Sequence, residues 1–227
     1  MIHLGEFFLN IIFPRRCVGC GKMGTYFCTR CTKRLEIIPP FCIVCKRASI
    51  DGSTHRFCKT PRMIDGVFAL TYYKESMKKA IRLLKYHSVT DLVDSLTSLW
   101  LDGYPKYIPR FDILTPIPLH KKRLRMRGYN QAQLLAVSLG KKKNTLVINN
   151  VLQRIRFSKP QIELKGKERR INIIGAFDYN PNILIAGKCI GIVDDVTTTG
   201  ATIVECGKVL KANGAREVWG IVLAHGN

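Results

Sequence analysis

The stretch Ile192-Val193-Asp194-Asp195-Val196-Thr197-Thr198-Thr199-Gly200-Ala201-Thr202 joins two adjacent carboxylates to a cluster of hydroxyls and a glycine. Neighbouring acids repel each other, and Asp, Thr and Gly are poor interior residues for a strand or helix, so the run needs a chemical reason. Upstream, Lys188–Val193 is a β-branched run that reads as a buried strand. Downstream, Thr202–Ala212 reads as a helix closed by Asn213-Gly214. The spacing predicts a loop over 194–201, between the carboxyl end of a strand and a helix N-terminus. Backbone N–H groups from Val196 to Ala201 then converge on an anion, aided by the helix dipole. Gly200 lets the backbone approach closely, and Thr197, Thr198, Thr199 and Thr202 add hydroxyl donors. A phosphate monoester fits that cradle. Asp194 and Asp195 are left to accept hydrogen bonds from vicinal hydroxyls, as on a ribose, and to orient Mg2+ through water. On this reading Asp195 serves the ligand and the fold survives its removal. A helix cap alone needs neither the second acid nor three threonines.

A second chemistry lies at the other end of the chain. Seven of the nine cysteines fall within the first 58 residues, as Cys17, Cys20, Cys28 and Cys31 and then Cys42, Cys45 and Cys58. The spacing is C-x2-C-x7-C-x2-C followed by C-x2-C-x12-C. A two-residue gap aims both sulfurs of a tight turn at one ion, and two such knuckles complete a tetrahedral Zn2+ shell. The second set lacks a fourth thiolate, because Pro61 stands where it would fall. His55 either supplies a nitrogen instead or is an ordinary surface histidine. A closed four-ligand shell has no position for substrate, so zinc here is structural. A disulfide framework needs an oxidising compartment. The opening MIHLGEFFLNIIFPRR carries its positive charge after the apolar run, unlike a secretion signal. It reads as a short amphipathic helix. Cys189 and Cys206 lie in apolar contexts and read as small core residues.

The formal net charge is +21, from 37 Lys+Arg against 16 Asp+Glu. That excess favours polyanionic partners: nucleic acid, phosphates or anionic lipid. The basic loop at 121–127, with Lys121, Lys122, Arg123 and Arg125, and the later Arg154 and Arg156 are candidates for tracking a nucleic-acid strand. Tyr86, Tyr129 and Phe157 are candidate stacking surfaces. Lys141-Lys142-Lys143 reads as a solvated loop. His87, His120 and His225 have no evident partners and read as ordinary surface or loop residues. No stretch approaches the roughly 20 apolar residues of a membrane helix.

The elements that position these residues follow from periodicity. A strand is expected at 67–73, a helix over Glu75–Tyr86, and a second helix from about Thr90 to Leu101. A short strand at Phe111–Thr115 is stopped by Pro116 and Pro118. Asn130 can cap a helix over Gln131–Leu139 that Gly140 ends. Another strand begins at Val147-Ile148. The polar connection 153–175 is long enough to be a lid or binding loop. The last strand covers Val218–Ala224. Strand, loop, helix, strand is the βαβ unit of a parallel sheet, and ligands of such sheets sit beyond the carboxyl ends of strands. The expected division is a helix and zinc-ribbon module over 1–63 and an α/β domain over 64–227.

The 194–202 stretch resembles the ribose-phosphate signature of type I phosphoribosyltransferases. DILTPIPLHKKRLRMRGYNQAQLLA (112–136) resembles the ComF family of competence-associated, phosphoribosyltransferase-like proteins. So do LKY (84–86), LQR (152–154), Gln161 with Leu164, Glu168-Arg169, Asn172 and Ala176-Phe177. Members of that family often carry a double zinc ribbon. The resemblance covers nearly the whole chain and departs from the pattern at Pro61. It implies a type I phosphoribosyltransferase fold, a parallel sheet with helices on both faces. The implied ligand is 5-phosphoribosyl-1-pyrophosphate (PRPP) with Mg2+. Asp194 and Asp195 would take the ribose hydroxyls, and Val196 to Thr202 the 5′-phosphate. Arg127, Gly128 and Asn130 would face the pyrophosphate, with Lys85 and Arg169 as further cations, and 153–175 would be the lid. The implied role is DNA uptake in natural transformation. There the protein would handle incoming single-stranded DNA at the cytoplasmic face of the inner membrane, beside proteins of the competence machinery. An active transferase of nucleobase metabolism and a non-catalytic PRPP sensor stay open as alternatives.

Overall fold

Apolar runs separated by helix-length amphipathic segments return to the same end of a sheet by crossovers, which makes the strands parallel. The computed structural model, which describes residues 14–103, 109–156 and 173–226, has this form. One parallel sheet contains β1 (Gly66–Tyr72), β2 (Ile113–Pro116), β3 (Leu146–Val147), β6 (Cys189–Thr197) and β7 (Glu217–His225). Its order is β1-β7-β6-β2-β3. A separate antiparallel pair joins β4 (Leu152–Arg154) to β5 (Phe177–Tyr179). This pair holds together the two ends of the expected lid. Residues 157–172, with Phe157 and Arg169, lie outside the described residues, as does the expected helix in residues 1–13.

Successive strand side chains point to opposite faces, and the apolar residues divide accordingly. Phe68, Leu70, Val193, Ile221 and Leu223 pack under α2 (Glu75–Tyr86), α3 (Leu92–Asp102) and α5 (Gln131–Lys143). Val67, Ala69, Ile190, Ile192, Val218 and Val222 pack against α6 (Ala201–Ala212) and the β4–β5 pair. The result is the sheet with helices on both faces expected of a type I phosphoribosyltransferase. The cysteine-rich segment, with its single turn of helix α1 (Thr29–Thr32), lies along the outer edge of β1. Ile38 N donates to Leu70 O at 3.0 Å, Tyr72 N to Glu36 O at 3.2 Å, and Val67 N to Gly52 O at 3.0 Å. The edge of the sheet is thereby covered. Ile38, Phe41 and Ile43 of the same segment belong to the α6-side core.

Three elements differ from expectation. Residues 121–127 are not a loop but α4 (Lys121–Arg127). His120 Nδ1 accepts from Lys122 N at its start, and Gly128 closes it at φ +82°. Helix α5 runs past Gly140 and takes up the three lysines, ending at Asn144 in the left-handed region. Gly140 is required there for packing, since a Cβ would stand 2.2 Å from Val147 Cγ2. Strand β6 continues beyond Val193 to Thr197, because Asp194, Val196 and Thr197 stay in register with Val222, Ala224 and His225.

Gly207 on α6 faces Ile64, and a Cβ there would lie 1.8 Å from Ile64 Cγ2. Alanine gains up to about 1 kcal/mol of helix propensity over glycine. Overpacking a rigid β-branched neighbour costs about 1–3 kcal/mol. Gly207→Ala is therefore expected to lower the urea midpoint; an unchanged or raised midpoint would show that this contact yields.

Candidate functional site

The extension of β6 answers why two acids are adjacent. They sit on a strand, so they point to opposite faces of the sheet. Asp195 shares the face of Val193, under α2 and α5, and is 2% exposed. Its Oδ2 lies 2.6 Å from Lys85 Nζ, near the end of α2, and its Oδ1 lies 3.5 Å from Gln131 Nε2, at the start of α5. Arg127 Nη1 in turn donates to Gln131 Oε1. Burial opposes the charge on both partners of the pair, but each partner overrides it for the other. The Asp195 carboxyl is held below the usual carboxylate range, and the Lys85 ammonium above the usual lysine range. Among the described residues Asp194 has no such partner. It is half-buried on the α6 face, and its Oδ1 accepts from Asp195 N at 2.9 Å. Burial and then the Asp195 charge push its pKa well up.

Beyond Thr197 the chain makes a bend over 198–200 and enters α6, with Gly200 as N-cap at φ +82°. Thr199 Oγ1 accepts from Ala201 N at 3.3 Å. The expected eight-residue loop is thus shorter, and both acids belong to the strand. A cavity of about 930 Å³ opens at this carboxyl end. Asp194, Asp195, Val196, Thr198, Thr202 and Lys85 line one side, and Arg123, Arg127 and Arg154 also face it. Three guanidinium groups share the space. Burial and then Arg127 lower the pKa of Arg123, while burial and then Arg123 lower that of Arg154. Mutually repelling cations around one cavity suit a multiply charged anion.

Other expected residues fall elsewhere. Asn130 is buried and caps α5: its Oδ1 accepts from Ala132 N at 3.0 Å and its Nδ2 donates to Ile117 O at 2.9 Å. Gly128 is the turn between α4 and α5. Tyr129 is tied by its hydroxyl to Leu84 O, which removes it as a free stacking surface. Tyr86 is exposed, with Arg127 5.6 Å from its ring centroid. Lys121, Lys122 and Arg125 are exposed and do not line the cavity, and exposed Arg156 donates to Ile174 O at 3.1 Å. His225 is not an ordinary surface residue. It ends β7 opposite Thr197, lines the cavity and packs at a tilt against Phe41, with ring centroids 4.8 Å apart. Its strand-end position was the available signal.

The cysteines assemble as two four-ligand clusters: Cys17, Cys20, Cys28 and Cys31, and Cys42, Cys45, His55 and Cys58. Within each, the ligand atoms lie within 4.8 Å of one another. A zinc tetrahedron with Zn–S bonds of about 2.3 Å has edges near 3.8 Å, and Cys20 Sγ lies 3.7 Å from Cys28 Sγ. In the second cluster His55 takes the place of a fourth thiolate. Its Nδ1 is 3.2 Å from Cys45 Sγ, and its Nε2 lies 3.0 Å from Ala48 O. That outer contact fixes the tautomer that presents Nδ1 as a lone-pair donor. Although burial opposes it, backbone N–H groups draw Cys17 down to about 6, a thiolate suited to a cation. Burial and the other three thiols push Cys31 up to about 12, a repulsion that a divalent ion at the centre reverses. The donor sets fit structural zinc.

Comparison with known proteins agrees with these features. Residues 8–60 match the double zinc ribbon domain. Competence protein F of Haemophilus influenzae is 35% identical over 93% of this chain and 98% of its own. Competence protein ComFC of Bacillus subtilis is 28% identical over 78% of this chain and 74% of its own. Among solved structures, the glutamine PRPP amidotransferase from B. subtilis complexed with ADP and GMP is similar at a TM-score of 0.37 and 16% identity. That match covers 59% of this chain and 25% of the amidotransferase chain, and its score is too low to support an argument.

Two outcomes follow for measurement. Contrary to the expectation that the fold survives it, Asp195→Ala should destabilise the protein by about 3 kcal/mol, because it strands the partly buried Lys85 charge. Since the Asp195 pKa is depressed, this penalty is present at neutral pH and shrinks as pH falls through that pKa. Denaturation at two pH values tests this, and a pH-independent loss would exclude the ion pair as its cause. Metal analysis should give two zinc ions per chain, and His55→Ala about one; retention of both would remove His55 from the ligand set.

Proposed function

The chain belongs to the ComF family, and from that premise and the geometry of the cavity we propose that it is a PRPP-binding, phosphoribosyltransferase-like protein of natural competence. One observation carries the reading. A half-buried carboxylate, a glycine-capped hydroxyl loop and three arginines meet at a single cavity. PRPP presents a matching set of groups: a ribose diol, a phosphate monoester and a diphosphate. Asp194 accepts from the diol. The N–H groups at the start of α6 and the hydroxyls of Thr198 and Thr202 hold the 5′-phosphate. Arg123, Arg127 and Arg154 face the diphosphate. Mg2+ takes one or two carboxylates together with phosphate oxygens and water, and Asp194 is the carboxylate available to it. Asp195, bound to Lys85, has a positioning role: it keeps an ammonium beside the ribose and anchors Gln131 and Arg127.

In a transfer reaction, an acceptor nucleophile would form a bond to C1 of the ribose as the C1–O bond breaks and pyrophosphate departs with the electron pair. The arginines stabilise that charge as it develops, and exclusion of water protects the sugar cation from hydrolysis. Sensing without turnover uses the same contacts. Release of pyrophosphate in the presence of nucleobases distinguishes the two.

The exposed cations suit the second part of the role. Lys121, Lys122 and Arg125 lie outside the cavity on α4, and Arg156 follows β4. We assign them to the backbone of incoming single-stranded DNA at the cytoplasmic side of the inner membrane. Among the described residues no helix is long and apolar enough to cross a membrane. Attachment there would come through proteins of the competence machinery.

Calorimetry with PRPP and Mg2+ should show binding, and Asp194→Asn should weaken it about tenfold or more. The same change should raise Tm by about 2–4 °C, because a neutral amide removes a half-buried charge set against Asp195. Unchanged affinity would sink the ribose assignment. Single-strand binding should weaken steeply with salt. Replacing Lys121, Lys122 and Arg125 together by alanine should reduce the log–log slope by about 2, at ~0.7 per phosphate contact. A salt-independent interaction would refute the DNA assignment.

A further inference from the structure

We propose that Lys46, on the knuckle of the second metal cluster, is a positioning residue for the ligand loop. It turns two peptide groups of the 198–200 bend so that their N–H groups face the 5′-phosphate. The inference rests on the reading of the cavity given above and adds a contribution from the metal module that the loop motif does not contain.

Lys46 follows Cys45 directly, and its N–H donates to Cys42 O at 2.9 Å to close the knuckle. It sits at φ +65°, a left-handed conformation uncommon outside glycine. From there its Nζ reaches 152 and 153 residues along the sequence, lying 3.5 Å from Thr198 O and 3.2 Å from Thr199 O. Ile43 of the same knuckle is 2% exposed and supports the bend from below. Its Cδ1 and Cγ1 would stand 2.6 and 2.7 Å from a Cβ on Gly200. The module therefore touches the bend at three successive residues.

The consequence follows from peptide geometry. All peptide bonds of the described residues are trans, and in a trans peptide the C=O and the following N–H point in opposite directions. With the carbonyls of Thr198 and Thr199 turned to Lys46, the N–H groups of Thr199 and Gly200 point away from it. Among the described residues neither amide donates a hydrogen bond. Two successive unpaired N–H groups make a concave anion site. An ammonium on the carbonyl side also polarises both peptides and makes those N–H groups better donors. A phosphate monoester, with several oxygens on one centre, can accept from both. Gly200 has no side chain and adopts φ +82°, so Ile43 can approach to this distance.

The test uses the full-length, zinc-loaded protein with Lys46→Met and Lys46→Arg, and titrates PRPP with Mg2+, ribose 5-phosphate and pyrophosphate. Lys46→Met should weaken PRPP and ribose 5-phosphate about five- to tenfold, leave pyrophosphate within about twofold, and keep the metal content unchanged. Lys46→Arg, which can donate to the same carbonyls, should recover most of the loss. Equal affinity of wild type and Lys46→Met for ribose 5-phosphate would overturn the inference and leave the reading of the cavity intact. So would an equal loss for pyrophosphate, which reports lost charge and not a turned loop, or failure of arginine to rescue. If the wild type binds none of the three probes, the reading of the cavity fails and this inference fails with it.

Discussion

The ion pair of Lys85 with Asp195, buried between α2 and β6, is the contact on which the arrangement of the site depends. A carboxylate at 2% exposure is tolerated only with a cation beside it. That requirement fixes the end of α2 against the carboxyl end of the central strand. It also fixes α5, whose Gln131 reaches the other oxygen of Asp195, and α4, whose Arg127 bonds Gln131. Four elements are thus referred to one carboxyl group. Strand alternation turns Asp194 to the other side, where it forms no ion pair among the described residues. Two adjacent acids that look redundant in a line of text perform different tasks. One holds the frame, and the other stays available to a ligand at a cost to stability.

The metal module is bound to this frame by more than its tether. It supplies backbone hydrogen bonds to the free edge of β1 and apolar residues to the α6-side core. A segment so rich in Gly, Pro and Cys cannot build a core alone, and the sheet completes it. In return the sheet loses an exposed edge, and the 198–200 bend gains a rigid support in Ile43 and Lys46. The two clusters therefore differ in what they hold. The first places Val18 and Phe27 in the core cluster that also contains Leu70 and Met77. The second fixes the knuckle under the ligand loop. Coordination chemistry at one end of the chain sets backbone geometry at the other, through contacts spanning about two-thirds of the sequence.

Much of this was legible in order of sequence distance. The helix over Glu75–Tyr86 has four buried residues at helical spacing and was read to its ends. Cysteine spacing predicted the first cluster and left the second open for want of a fourth thiolate, and the final strand, loop and helix were recognisable from β-branched residues and Gly200. The misreadings were local contests decided by tertiary contacts. Asp194 and Asp195 have low strand propensity, yet pairing with β7 keeps them extended. Lys121–Arg127 looked like a loop because five cations in seven residues repel, yet a histidine cap and a left-handed glycine close it as a helix. Gly140 looked like a stop and is instead a packing notch for Val147. What spacing could not reveal at all were the pairings across long separations: Lys85 with Asp195, Lys46 with the 198–200 bend, and His225 beside Thr197. No periodicity encodes these, because they depend on the order of strands in the sheet.

Helix α4 shows how one short element can serve both halves of the role. At 100° per residue, positions 123 and 127 share a face, and that face is turned to the cavity. Lys121 and Arg125 share another, which is exposed. Like charges four residues apart destabilise a helix, and α4 carries two such pairs, Lys121–Arg125 and Arg123–Arg127. The helix therefore holds stored repulsion that anions on either side relieve. On the proposed reading, a diphosphate in the cavity would neutralise the inner pair, and phosphates of a nucleic-acid strand would neutralise the outer one. Both pairs lie on one helix, so an anion on either side would relieve repulsion within the same seven residues. The two proposed roles would then share one seven-residue helix, with cavity-facing arginines on one side and exposed cations on the other.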